Sequence, residues 1–133
     1  MEKQPCDLKM VHVVCAAGSD RSRLIAEELN RRGYLATWGG VLRNHNYTTA
    51  EDLAGVEDVI FTTQQISDQF SRDRGLNKAL KRNNAQKHVI NITEQEKEVA
   101  FQSGDLSGLM ADIKTKLDGL GFPDRNCYKI GRG

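Results

Sequence analysis

Met10-Val11-His12-Val13-Val14 runs directly into Cys15-Ala16-Ala17-Gly18-Ser19-Asp20-Arg21-Ser22, and that into Arg23-Leu24-Ile25-Ala26-Glu27-Glu28-Leu29-Asn30-Arg31-Arg32. The first piece is a largely β-branched apolar run of strand length. The second is a short loop with a glycine in its middle, and the third carries apolar residues at helical spacing. Together they predict a strand from about Lys9 to Val14 and a helix from about Ser22 to Arg32, stopped by Gly33.

The alternation continues along the chain. Strands are expected at about Tyr34 to Trp38, Asp58 to Thr62 and Lys87 to Ile92. A short helix starts at Thr49 and ends by Gly55, another begins with Gln64 to Phe70, and a last one runs from about Leu106 to Leu117. Strands alternating with helices imply an α/β fold, a parallel sheet wound on both faces in three layers. At 133 residues the chain makes one domain, with a core of about 8–120 and a tail of 121–133. Nineteen basic residues against 18 acidic ones leave a net charge of +1, which argues against a nucleic-acid or membrane binder. No apolar run approaches the roughly 20 residues of a membrane span, and Met1 to Pro5 lacks a signal-peptide core, so a cytoplasmic location is expected.

A loop curling from a strand into a helix turns several backbone N–H groups inward, and the helix N-terminus adds its positive field. Such a ring suits phosphate or sulfate, here on Ala16, Ala17, Gly18, Ser19, Asp20 and Arg21. A thiol at the first position lies in the same field, which favours the nucleophilic thiolate; Cys15 is that thiol. Arg21 offers a planar fork to two oxyanion oxygens. Gly18 permits a positive φ in mid-loop, and the Ser22 hydroxyl is within reach of the sulfur.

Val13 to Ser22, followed by Ala26-Glu27, resembles the signature of the low-molecular-weight protein tyrosine phosphatases, a Cys-x5-Arg-Ser loop leading into a helix with Ala-Glu. Gly33 to Gly40 is similar to that family's second strand, and Val56 to Thr63 and His88 to Ile92 resemble its third and fourth. The resemblance implies strand order 2-1-3-4, with the ligand beyond the strand C-termini beside strand one. It also implies a phosphomonoester hydrolase, acting on protein phosphotyrosine or a small phosphomonoester. Cys15 would form a phosphocysteine stabilised by Arg21 and the loop, assisted by Ser22, with no metal or organic cofactor. The chain departs from the pattern in having Arg23-Leu24 after Arg-Ser and no Asp-Pro-aromatic tripeptide for the general acid. Asp105, Glu94 and Glu96 are the candidates for that proton. Thr93-Glu94-Gln95-Glu96 also fits a helix capping box, and Asp105 is well placed as the cap of the last helix.

Two other readings use the same loop. A phosphocarrier resembling the IIB components of sugar phosphotransferase systems also carries a cysteine at the end of strand one, although carriers have a small hydroxyl residue where Arg21 stands. A phosphate-binding module without turnover is the other. Three cysteines at wide separations do not form a disulfide framework or a zinc site, so Cys6 and Cys127 read as ordinary thiols. Arsenate reduction would need relay cysteines near strands three and four, where there are none. Arg43-Asn44-His45-Asn46-Tyr47 is a loop that could flank a substrate. The basic stretch from Arg72 to Lys87 reads as a solvated face, and the tail from Pro123 to Gly133 as loosely held.

Overall fold

In the computed structural model, which describes residues 4–42 and 45–127, β1 (Met10–Cys15), β2 (Leu35–Gly40), β3 (Asp58–Phe61) and β4 (Gln86–Val89) form one parallel sheet. The strand order is β2-β1-β3-β4, as expected, so the winding reverses beside β1. Cys15 pairs in register with Gly40, and Val14 with both Gly39 and Phe61.

The period-two alternation of β1 divides the core. Val11 and Val13 pack with Ile25 and Leu29 of α1 (Arg21–Arg31) and with Ile113 and Leu117 of α5 (Ser107–Gly119). Val14 packs on the other face with Phe70 of α2 (Gln64–Ser71), Leu76 and Leu80 of α3 (Arg74–Arg82), and Leu53 of a single 3-10 turn. Helices therefore cover both faces of the sheet, which explains why its central strands are buried from Val11 to Cys15 and from Asp58 to Phe61.

Two helices were only hinted at by the sequence. α3 forms inside the basic stretch because the Asp73 side chain accepts the Leu76 N–H at 3.1 Å, and Leu76, Ala79 and Leu80 turn inward. Lys78, Lys81 and Arg82 stay exposed, the solvated face expected of them. α4 (Glu94–Ser103) starts at Thr93, whose hydroxyl accepts the Glu96 N–H at 3.1 Å, and stops at Gly104, where φ is +74°. The Glu96 carboxyl faces Asp112 of α5; burial first, and then that neighbour, hold it above the usual carboxylate range. β4 is shorter than expected: the ladder ends at Val89, and Asn91 takes a positive φ of 63°.

Cys6 and Cys127 are not separate thiols. They form a disulfide across 121 residues, packed against Gly33, where an added Cβ would lie 2.8 Å from one sulfur and 3.0 Å from the other. The described part of the tail is held as well. Arg125 N–H donates to the Arg32 carbonyl at 2.9 Å, and its guanidinium donates to the Asp7 carbonyl at 2.8 Å. Sequence spacing hides this pairing because chain separation says nothing about which segments the sheet brings to one end of α1. The rest of the tail lies outside the described residues. Among the described residues, no helix is long and apolar enough to cross a membrane.

Candidate active site

The loop between β1 and α1 is shaped by close backbone packing. Gly18 has φ +69°, and a Cβ there would stand 2.5 Å from the Asn46 carbonyl oxygen and 2.6 Å from Gly40 N. Gly40 is equally confined, with Ala16 O and Gly18 N each 2.5 Å from an added Cβ. The Gly39-Gly40 end of β2 is thus the surface on which the loop rests. Val41 and Leu42 N–H groups donate to Ala16 O, and the Asn46 side chain donates to Gly18 O at 2.9 Å.

This packing sets the surroundings of the thiol. Cys15 is buried, and the Gly18 N–H donates to its sulfur at 3.1 Å. The Cys15 thiol donates to Ser22 Oγ, also at 3.1 Å; once the sulfur is ionised, the same contact lets the hydroxyl donate instead. Asp20 stands at the N-cap of α1 but makes no side-chain cap; its carboxylate lies 3.2 Å from Lys97 Nζ. Among the described residues, no acceptor takes the N–H groups of Ala17, Ser19 or Asp20. The first turn of α1 therefore keeps its positive end open toward the loop.

Arg21, although charged, is 4% exposed. It donates from Nη1 to the Ile92 carbonyl at 2.9 Å, and its Nε lies 3.1 Å from Glu94 Oε2. The other Glu94 oxygen is 2.7 Å from Lys97 Nζ, which also lies 2.8 Å from Glu98. Burial acts to lower Lys97, but the surrounding carboxylates of Glu94, Glu98 and Asp20 outweigh it and hold its ammonium form above the usual lysine range.

Cys15, Ala16, Ala17, Ser19, Asp20 and Arg21 line one cleft of about 860 Å3, walled by α2 on one side and by Asn91, Thr93, Glu94 and Gln95 on the other. A second cleft, about 550 Å3, runs along the β2 edge past Lys9, Tyr34 and Trp38, and its one cysteine, Cys6, is held in a disulfide. Of the three acid candidates, Glu94 lines the Cys15 cleft, whereas Glu96 and Asp105 do not. Asp105 lies beyond the far end of α4, which is roughly 15 Å long at 1.5 Å per residue. Its carboxylate accepts the Ser107 N–H at 2.9 Å, which lowers its proton affinity. It is not the N-cap of α5, a position that Leu106 holds; it binds the first helical N–H from one residue before that cap.

Arg43 and Asn44 lie outside the described residues. His45 is exposed and does not line the cleft. Tyr47 turns away from it and donates to Asp73 Oδ2 at 2.6 Å.

Sequence reasoning missed three contributors. His12 is buried beneath β2, with Nδ1 2.8 Å from Thr37 Oγ1 and Nε2 2.8 Å from Thr48 Oγ1. Burial pulls it down to about 4, against the opposing pull of Asp52, so it is neutral at pH 7. Lys97 gave no signal because its spacing within α4 is that of any surface lysine. Thr62, next after β3 and level with Cys15 in the sheet register, is fully buried, and its hydroxyl has no partner among the described residues. Its only sequence signal is its place at a strand end.

Comparison of the chain with protein-family models, with curated proteins and with solved structures found no match.

Proposed function

We propose that the chain is a cysteine-dependent phosphomonoester hydrolase working through a phosphocysteine. The observation that carries this reading is the environment of Cys15: a buried sulfur that receives the Gly18 N–H and contacts Ser22 Oγ, at an uncapped helix N-terminus, in one cleft with a buried arginine. A strand-end cysteine serving only as core has no need of an open ring of N–H groups and a neighbouring guanidinium.

In the proposed reaction the substrate phosphoryl group enters the ring and takes Arg21 Nε from Glu94. Cys15 sulfur attacks phosphorus, the S–P bond forms, and the P–O ester bond breaks with its electron pair leaving on oxygen. Glu94, displaced from Arg21, relays to this oxygen the proton that the Cys15 thiol gives up on attack. Water then attacks phosphorus and gives a proton to the Glu94 carboxylate, the S–P bond breaks with its electron pair returning to sulfur as thiolate, and phosphate leaves. Arg21 and the N–H groups of residues 16–21 act on the equatorial oxygens, where charge is held throughout. Ser22 stabilises the thiolate as attacker and as leaving group.

Arg21 is also the feature that sets this reading against the phosphocarrier. The test is trapping. Wild-type protein releases inorganic phosphate from p-nitrophenyl phosphate, and Cys15→Ser abolishes release while still binding phosphate. A stable phosphocysteine without release would establish the carrier, and phosphate binding without any phosphoenzyme the binding module. A cytoplasmic setting belongs to the proposal because reducing conditions preserve the Cys15 thiolate. The Cys6–Cys127 disulfide suits an oxidising one. Alkylation in intact cells followed by mass measurement decides between them.

A further inference from the structure

We propose that the part of the substrate beyond its phosphoryl group is a neutral, hydroxyl-rich ring, so that the cleft takes a sugar-phosphate-like monoester; this rests on the phosphatase reading above. The support lies in what the two walls present. α2 contributes Gln65 and Gln69, one turn apart, and the facing wall contributes Asn91 and Gln95. No hydrogen bond among the described residues occupies these four side-chain amides, in contrast to Gln64, which donates to Asp68 at 2.9 Å. Asn91 is held in the left-handed region at φ 63°, and its carbonyl accepts from Lys116 Nζ at 2.7 Å.

An amide offers both donors and an acceptor, which matches a hydroxyl that both donates and accepts. Leu42, 41% exposed, and Ile66 supply the apolar contacts of the lining, enough for the C–H face of a sugar ring. No aromatic residue stands among the described lining residues, so a phenyl ring or a nucleobase finds nothing on which to stack. Arg21 is the sole cation among them, and Asp20 and Glu94 are carboxylates. Among the described lining residues, a second phosphate or an acidic peptide would meet only carboxylates as charged groups outside the loop. The volume, about 860 Å3, accommodates a hexose phosphate.

The test is calorimetric binding to Cys15→Ser protein of inorganic phosphate, a hexose 6-phosphate and a phosphotyrosine peptide. The same ligands are measured as competitive inhibitors of wild-type p-nitrophenyl phosphate turnover, which covers the case of a variant that folds poorly. The hexose 6-phosphate is expected to bind about tenfold more tightly than inorganic phosphate, the yield of two or three added neutral hydrogen bonds, and the phosphotyrosine peptide no more tightly than phosphate. The Gln65→Leu/Gln69→Leu pair should remove most of that tenfold gain. The inference is overturned if the hexose ester gains nothing over phosphate, if the phosphotyrosine peptide gains as much, or if the gain survives in the double variant. In each of those cases phosphate still binds and the hydrolase reading stands. Failure of every ligand, phosphate included, would overturn both.

Discussion

Arg21 and Glu94 form an ion pair across the mouth of the loop, Nε to Oε2 at 3.1 Å, with the arginine buried and the glutamate half exposed. The carboxylate therefore occupies the part of the guanidinium fork that an incoming oxyanion needs. Lys97, 2.7 Å from the second oxygen, is where Glu94 remains once displaced.

Glu94→Gln removes the competing charge but keeps the shape. Phosphate or vanadate affinity is expected to rise about five- to tenfold, the scale of one charged hydrogen bond weakened by solvent on the glutamate side. Turnover should fall, more for esters of poor leaving groups than for p-nitrophenyl phosphate, whose leaving oxygen needs little help from an acid. Loss of a positioned acid costs about a hundredfold or more. Titration of both ligands with kcat for an alkyl and an aryl ester checks this. Unchanged anion affinity would mean that Glu94 does not compete for Arg21.

Gly40 supports the loop without taking part in chemistry. A Cβ at this position would meet Ala16 O and Gly18 N at 2.5 Å, both main-chain atoms that cannot swing aside. Gly40→Ala is thus expected to push the loop off the end of β2 and to cut p-nitrophenyl phosphate kcat/KM at least about tenfold through misplaced N–H donors. The remainder of the sheet lies on the far side of this contact, so far-ultraviolet circular dichroism should be unchanged. Full activity with an unshifted loop would show that β2 yields more easily than the packing implies.

Much of this arrangement is legible from residues alone, because it depends on periodicity and local chain geometry. The β-branched run before Cys15, the glycine in mid-loop and the amphipathic stretch after Ser22 each dictate their own conformation within a few residues. The same holds for the Thr93 cap and for the inward face of the last helix. What escaped depends on contacts between distant segments. Nothing near Lys97 indicates that α4 will lay it against Asp20, and nothing near Cys6 indicates that Cys127 will return to it. Glu94 could not be separated from Glu96 or Asp105 by sequence, since the distinction is which end and which face of α4 lie toward Arg21. α3 was obscured because its exposed basic residues outnumber the three apolar positions that hold it to the sheet.

His12 makes stability depend on pH in the mildly acidic range. Folding lowers it from 6.5 to about 4, so between those values the unfolded chain binds more protons. Stability is whole above about pH 6.5 and falls as pH drops toward 4, by up to about 3 kcal/mol. Glu28, lowered to about 2 chiefly by its hydrogen bond with Arg31, acts further down, losing its contribution between about 4.5 and 2. His12→Gln should be less stable than wild type at pH 7, having lost contacts with Thr37 and Thr48, yet should not show the fall from pH 6.5 to 4.5, where the raised Glu96 acts in the opposite direction. Urea midpoints at intervals across that range distinguish the two curves. An equal slope in both proteins would remove His12 as the cause.

The Cys6–Cys127 disulfide acts on a different part of the free-energy balance. It closes a loop spanning 121 residues in sequence, nearly the whole chain, and so restricts the unfolded ensemble far more than the folded one. Loop-closure entropy for that length is about 4–5 kcal/mol. The folded state already holds the two segments together through Arg125, which bonds to Asp7 O and Gly33 O. Reduction therefore need not change the native contacts, and the loss should appear as a lower urea midpoint with a slightly larger dependence on denaturant, because the unfolded chain expands. Cys6→Ser should match the reduced wild type, and reductant should then have no further effect on it. The bond lies at the C-terminal end of α1 and Cys15 lies before its N-terminal end, so turnover of p-nitrophenyl phosphate should be equal in both redox forms at temperatures where both are folded. A drop in turnover that preceded any unfolding would show that α1 transmits the state of its far end to the loop.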